Sequence, residues 1–465
     1  MAVSFMGETS SGISGSRNGS SPPAIVNLAP DHLFTILLLL PVDSILSLAM
    51  TCKKFRSLTS SDTLWESICR REWGPTSVDA LKSSVINNQQ LSWMGVYKQV
   101  SQLDTVSCQK LSDPDGDSTF PCPRASHSLN FVSGCLVLFG GGFEGGRHLD
   151  DTWVAYIGND FPRLLKWKKV HSGIPSGRFG HTCVVLGEYL VIYGGINDRG
   201  VRHSDTWLGE VVFSGNLGIT ISWTLLDVGS TAPPPRGAHA ACCIGKREMV
   251  IQGGIGLNGL RLSDTWVLEL SENHHFGTWR ELVTHPSPPA RSGHSLTCIS
   301  GTRMVLFGGR GLGYDVLNDV WLLGISDGQA KWIRLSYELQ NIPEGVSLPR
   351  VGHSATLFLG TQLLIYGGED SYRHRKDDFW VLDINSIPLQ PTTLSSKRLQ
   401  AHMWKRLKIE GYKPKSRSFH RACIDHSGRF LFVFGGMVDG LIHPVESTGL
   451  RFDGELFFVE LLRQV

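Results

Sequence analysis

The sequence predicts a mainly β protein, a six-bladed β-propeller with a small all-α domain on its N-terminal side, and three observations carry that expectation. From residue 124 onward one pattern recurs six times, the last copy incomplete: Arg-x-x-His, an apolar alternating stretch ending in Gly-Gly, an Asp-x-Trp and a second Trp. Each copy holds four short β-like runs, the makings of one antiparallel sheet. Ahead of the repeats, residues 24–72 carry Leu-rich segments punctuated by proline, the pattern of short helices.

Residues 1–23 are rich in Ser and Gly and lack an apolar core, so they read as a disordered leader and not as a secretory signal. In 24–72, Pro30 and Asp31 suit a first helical turn, Pro41 breaks the pattern, and Ile45, Leu46 and Leu48 belong to a second helix. A third short helix is implied further on. Leu37 to Leu40 is too apolar for a solvated helix so near a terminus, so something must cover it. Residues 73–103, with Leu81, Val85, Ile86, Leu91, Trp93, Val96 and Tyr97, are expected to be helices joining this domain to a propeller over 104–465.

The repeated pairs are Arg124/His127, Arg178/His181, Arg236/His239, Arg291/His294, Arg350/His353 and Arg417/His420. Trp153, Trp207, Trp266, Trp321 and Trp380 each lie 13 residues after the first glycine of their doublet. In the second copy the β-like runs are His181 to Leu186, Tyr189 to Tyr193, Asp205 to Val211 and Ile221 to Leu226. The diglycine allows unusual φ and close backbone approach, and the tryptophans are expected to fill space between sheets. One such sheet cannot bury both its faces, whereas six packed radially can. In the sixth copy Glu455-Leu456-Phe457 stands in for Asp-x-Trp and the fourth strand is missing. Thr105 to Leu111 is strand-like and is expected to take that place, closing the ring with sequence from its own beginning.

These six copies, over roughly 104–465, resemble kelch repeats. The order Leu28-x-Pro30, Leu40-Pro41, Cys52-Lys53-x-Phe55, Leu58, then Leu64-Trp65 resembles an F-box. The pairing is similar to that of plant F-box/kelch-repeat proteins, and the resemblance implies the substrate receptor of an SCF-type ubiquitin ligase. It implies that the first helices dock on a Skp-type adaptor through Leu28, Pro30, Leu33, Leu40, Pro41, Val42, Ile45, Leu46 and Phe55, and through it join a cullin/RING core. Catalysis would belong to the recruited ubiquitin-conjugating enzyme, so the chain is expected to be no enzyme, to need no cofactor, and to work in the nucleus and/or cytoplasm. Two other readings stay open: a non-degradative scaffold that binds the adaptor without a cullin, and a propeller redox enzyme using the central channel.

Composition narrows the partners. With 44 Lys+Arg against 42 Asp+Glu there is no bulk basicity to draw nucleic acid. The longest apolar run, Leu33 to Val42, is interrupted by Thr35 and Pro41 and falls far short of the roughly 18–20 residues of a membrane span. Ten cysteines without a C-x-x-C spacing suggest neither zinc nor a redox motif. The six repeated histidines are held apart by the repeat itself, so a structural role is expected and no metal site. Gly140-x-Gly142-x-x-Gly145 and Gly254-x-Gly256-x-x-Gly259 match a dinucleotide fingerprint literally, but strands and not helices follow, so no phosphate cradle forms.

In a four-stranded antiparallel blade the loop between strands two and three and the link into the next blade emerge on one face. That face is expected to bind the protein substrate with Arg147, His148, Asn197, Arg199, Asn258, Arg310, Tyr314, Tyr372, Arg373, Arg375 and His443. The run Arg373-His374-Arg375-Lys376 suits an acidic or phosphorylated partner, and an insertion from Asn385 to Met403 marks the same blade.

Overall fold

Proline sets the helix boundaries of the first unit, residues 1–68, in the computed structural model. The structure describes residues 25–84, 92–111, 120–157, 165–171, 173–214, 218–326, 328–336, 348–384, 387, 403–439 and 450–462, and the expected leader lies outside them. Helix α1 (Pro30–Leu39) starts with proline, whose missing N–H costs nothing in a first turn, and Leu40 before Pro41 turns extended. Helix α2 (Val42–Ala49) and α3 (Lys53–Thr59) follow. Leu33, Leu37, Ile45 and Phe55 are buried. The Trp65 indole donates to the Thr59 carbonyl at 2.7 Å, and the Thr59 hydroxyl donates to that of Phe55 at 2.8 Å. Helix α4 (Asp62–Trp73) then leads out of the unit.

The second unit, residues 69–465, takes in the stretch expected to be a separate linker. Helices α5 (Pro75–Ser84) and α6 (Trp93–Ser101) precede the propeller's first strand. Trp73 stacks on Tyr97 at 5.8 Å, and the Tyr97 hydroxyl donates to Glu72 at 2.9 Å. Gly360, in a blade-five hairpin turn with φ 68°, leaves the space that the Glu72 carbonyl needs: a Cβ there would sit 2.9 Å from it. The end of α4 therefore meets the propeller at this turn, and Tyr97 of α6 packs on that same end.

Six four-stranded antiparallel arrangements follow, each in simple up-and-down order; the third runs Ala240–Ile244, Glu248–Ile255, Arg261–Leu270 and Gly277–Glu281. The first strands of the blades are Ser128–Val132, Thr182–Leu186, Ala240–Ile244, Ser295–Ser300, Ser354–Phe358 and Arg421–Ile424. Each lies next to the first strand of the blade on either side, in a closed circle, so these six strands surround the axis. The core is the set of seams between blades. Trp321 and Trp332 of blade four pack with Val250 and Val267 of blade three, and Trp153 and Trp167 of blade one pack with Phe432 and Phe434 of blade six. The tryptophans thus fill the inter-sheet space that their spacing suggests.

Strand β1 (Thr105–Leu111) closes the ring. It pairs antiparallel with Leu456–Glu460, Ser107 opposite Glu460 and Leu111 opposite Leu456, as the fourth strand of blade six. A fifth strand, Lys408–Gly411, lies parallel to β1 on its outer side, with Lys408 N–H donating to the Asp104 carbonyl at 2.9 Å. Nothing in this short polar segment predicts a strand; it covers an edge that would otherwise present unpaired backbone groups.

Candidate recognition face and adaptor-binding unit

The repeated arginines are brackets. In blade one the Arg124 guanidinium donates to both carboxylate oxygens of Asp151, at 2.7 and 3.1 Å, and to the Gly140 carbonyl at 3.0 Å. The Trp153 indole donates to the same carboxylate at 2.7 Å. The same bracket joins Arg178 to Asp205, Arg236 to Asp264, Arg291 to Asp319 and Arg350 to Asp378. Burial pushes the Asp378 carboxyl up, but its hydrogen bonds with Arg350 and the Arg350 charge outweigh this and leave it below the usual range. In blade six Glu455 replaces the aspartate, and Arg417 reaches it at 2.6 Å.

The histidines and diglycines interlock between blades. The Gly140 position, with φ 66°, faces the Arg178 carbonyl and the His181 ring of the next blade; a Cβ would lie 2.9 and 3.1 Å from them. Gly141, with φ 104°, would place its Cβ 2.8 Å from the Cβ of His127 in its own blade. Three imidazoles reach a hydroxyl of the preceding blade: His239 with Thr182 at 2.7 Å, His353 with Ser295 at 2.9 Å, and His420 with Ser354 at 3.0 Å. The six rings are joints between blades, and among the described residues no group of three His, Cys, Asp or Glu side chains is arranged to hold a metal.

The residue before each histidine forms a girdle about the axis. Ser126 N–H donates to Phe419 O, Phe419 N–H to Gly352 O, Gly352 N–H to Gly293 O, and so on through Ala238 and Gly180 back to Ser126, at 2.6 to 2.8 Å. All six residues have positive φ, including the non-glycines Ser126, Ala238 and Phe419. The Phe419 ring lies where a Cβ on Gly352 would be, 2.9 Å from it. The sequence shows the Arg-x-x-His spacing but not this ring, because each bond joins residues of different blades.

The doublet, the Arg bracket and the girdle place the strand two-to-three loops around one end of the axis. Arg147, Arg199, Asn258, Tyr314, Tyr372 and Arg373 are exposed there. The others are occupied. His148 packs on the Phe179 ring at 4.5 Å, and Asn197 Oδ1 caps its own loop by accepting from the N–H groups of Arg199 and Val201, both at 3.0 Å. Arg310 pairs with Glu369 at 2.9 Å; Arg375 pairs with Asp439 at 2.6 Å and Glu369 at 3.4 Å; Lys376 pairs with Asp370 at 2.7 Å. Within the basic run of blade five Arg375 and Lys376 are therefore paired with their own neighbours, while Arg373 and His374 stay exposed. His443 and most of the insertion after Asn385 lie outside the described residues. The face also exposes Val201, Leu257, Leu260 and Leu312, and Arg261 lies over the Tyr314 ring at 4.5 Å. A lone apolar residue in a Gly-rich loop carries no periodicity, so the sequence does not single out Val201, Leu260 or Leu312.

In the helical unit the residues expected to meet an adaptor divide. Leu33, Ile45 and Phe55 are 1%, 0% and 4% exposed, so they support the surface and do not form it. Pro30, Pro41 and Leu46 are exposed, and Leu28, Leu40 and Val42 are half-buried. Leu39, in the apolar run expected to be covered, is 80% exposed, and Met50, unread in the sequence, is 83% exposed. Leu39 is the last residue of α1 and Met50 the cap that follows α2.

The F-box-like family matches residues 30–71, and the KLHDC2/KLHL20/DRC7 Kelch-repeats domain matches residues 213–387. An F-box/kelch-repeat protein of Arabidopsis thaliana is 61% identical over 465 residues, covering 96% of each chain. The chain belongs to the F-box/kelch-repeat proteins. Adagio protein 3 of Arabidopsis thaliana is 29% identical over 397 residues, which span 84% of this chain and 58% of that one. The solved structure of YjhT aligns with 72% of this chain and 95% of its own at 13% identity and a TM-score of 0.50, which bears on the fold alone. As an F-box/kelch-repeat protein the chain is of the substrate-adaptor type, and its F-box implies a Skp-type adaptor as partner.

Proposed function

We propose that this F-box/kelch-repeat protein is the substrate receptor of an SCF-type ubiquitin ligase, with the F-box over 24–72, a helical connection over 73–103 and the recognition propeller over 104–465. The observation that carries the reading is the union, in one chain, of a helical unit exposing Leu39, Leu46 and Met50 with a propeller whose loops gather exposed Tyr314, Tyr372, Arg147, Arg199 and Arg373. Aromatic and arginine side chains on rigid loops are what protein interfaces use as anchors. The chain contributes no chemical step; it raises the effective concentration of target lysines at a ubiquitin-conjugating enzyme recruited through a cullin core. Burial pushes the Cys183 thiol at the axis up to about 12, which keeps it protonated and supports binding over thiolate chemistry there. The work is assigned to the nucleus and/or cytoplasm, where that machinery acts.

The test is affinity purification from cells with the proteasome blocked, comparing wild type with Leu40→Ala/Pro41→Ala. A Skp-type adaptor and a cullin should co-purify with wild type and be lost with the variant, while a further protein stays on the propeller. Adaptor without cullin would point to a scaffold; absence of both would overturn the reading.

A further inference from the structure

The six residues that follow the repeated histidines are Ser128, Thr182, Ala240, Ser295, Ser354 and Arg421. Five are small, as the first residue of a strand facing the crowded axis should be; the sixth is an arginine. Its side chain enters a cavity of about 220 Å³ lined by the first residues of the inner strands, just beneath the girdle. No carboxylate lines this cavity. The guanidinium makes one long hydrogen bond, to the His420 carbonyl at 3.4 Å, and has no ion-pair partner among the described residues. The bracket arginine of blade six, Arg417, has its carboxylate in Glu455, so Arg421 is an additional arginine at a position where the other blades carry a small residue.

A second observation lies in the same cavity. His181 and His294, 1% and 7% exposed, line it, and neither ring hydrogen-bonds to another side chain. In each case the preceding blade provides no hydroxyl bond of the kind that serves His239, His353 and His420. Buried polar groups are ordinarily satisfied, and the half-buried Arg421 has no carboxylate beside it in the cavity. Here a guanidinium, imidazole N–H groups and the hydroxyls of Thr182, Ser295 and Ser354 converge on one small space with no negative charge to meet them. Burial pushes the Arg421 guanidinium down to about 10, and the Arg421 charge helps hold His127, His181, His239, His353 and His420 below their ordinary value. An anion would reverse both effects.

We propose that the axial cavity is a binding site for a free small oxyanion, an inorganic or organic acid, held by Arg421 and by imidazole and hydroxyl donors of the surrounding blades. The ligand is one that fits inside about 220 Å³ and presents two or more oxygens to a planar guanidinium. The inference stands apart from the ligase reading, since it uses none of the loop or F-box residues.

The test is titration of the full chain with inorganic phosphate, and separately with acetate, at constant ionic strength set with chloride, followed by calorimetry and thermal shift. Wild type should bind phosphate saturably, one per chain, with a rise in Tm. Arg421→Ser, which restores the small residue of the other blades, should lose affinity by about tenfold or more. Its ligand-free Tm should equal or exceed that of wild type, because an unpaired cation has been removed. Arg421→Lys, which keeps the charge but not the fork, should retain weakened binding and provides the measurement if the serine variant does not fold. Failure of wild type to bind either acid, or equal binding by wild type and the variants, would overturn the proposal.

Discussion

Arg350 shows what a repeated residue is for. Its side chain is fully buried, its Nη1 is 2.6 Å from the carboxylate of Asp378, and that carboxylate is 8% exposed. Removing one partner of a buried pair leaves the other charge stranded, so Arg350→Ala is expected to cost about 3–5 kcal/mol. A denaturant titration should show it as a lower midpoint, whereas Arg373→Ala, on an exposed loop, should stay within about 0.5 kcal/mol of wild type. Gly140→Ala should also fall well below wild type in Tm, because the new Cβ meets a backbone carbonyl at 2.9 Å in a conformation L-residues avoid. The recurrence of these residues was legible in the sequence. Their partners were not, since the Arg350 bracket spans 28 residues and the Gly140 contact crosses into another blade. The partners of Arg375, Glu369 and Asp439, were not legible for the same reason: folding, not sequence adjacency, brings them to it.

Blade six shows how far an element can be read. A missing fourth strand and a spare strand-like run at the other end of the repeats were enough to foresee that β1 closes the ring. Pairing of Ser107 to Leu111 with Leu456 to Glu460 joins the two ends of the propeller, so this sheet acts as its clasp. Deleting residues 104–111 should therefore unfold the whole propeller and not one blade, seen as a single large fall in Tm; an unchanged Tm would refute the clasp. The added strand Lys408–Gly411 was not legible, because four residues that are mostly polar or glycine show no alternation and pair only because β1 offers an edge. The girdle is of the same kind: it depends on six backbones meeting at an axis.

Over the whole molecule the six buried imidazoles govern the response to acid. Burial first, and nearby arginine charge second, hold His127, His181, His239, His294 and His420 well below 6.5 and His353 at about 3. A folded-state value below the unfolded one means that unfolding takes up protons. This contribution to stability is complete above about pH 6.5 and is lost as pH falls toward the folded values. Six such groups set a limiting slope of about 8 kcal/mol per pH unit, so Tm should drop steeply between about pH 6.5 and 5. The bracket aspartates, depressed below 3.8, add their loss only in stronger acid. A Tm that stays flat down to about pH 5 would contradict this account of the blade joints.

The chain pairs an F-box with a kelch propeller, and its F-box implies a Skp-type adaptor as partner. The most direct test is calorimetric titration of the full chain with a purified Skp-type adaptor, using wild type, Leu39→Glu/Leu46→Glu and Tyr372→Ala/Arg373→Ala. Wild type and the loop variant should bind one adaptor with equal affinity, and the helix variant should lose about thirtyfold or more while keeping the propeller's Tm. No binding by wild type, or undiminished binding by the helix variant, would contradict it.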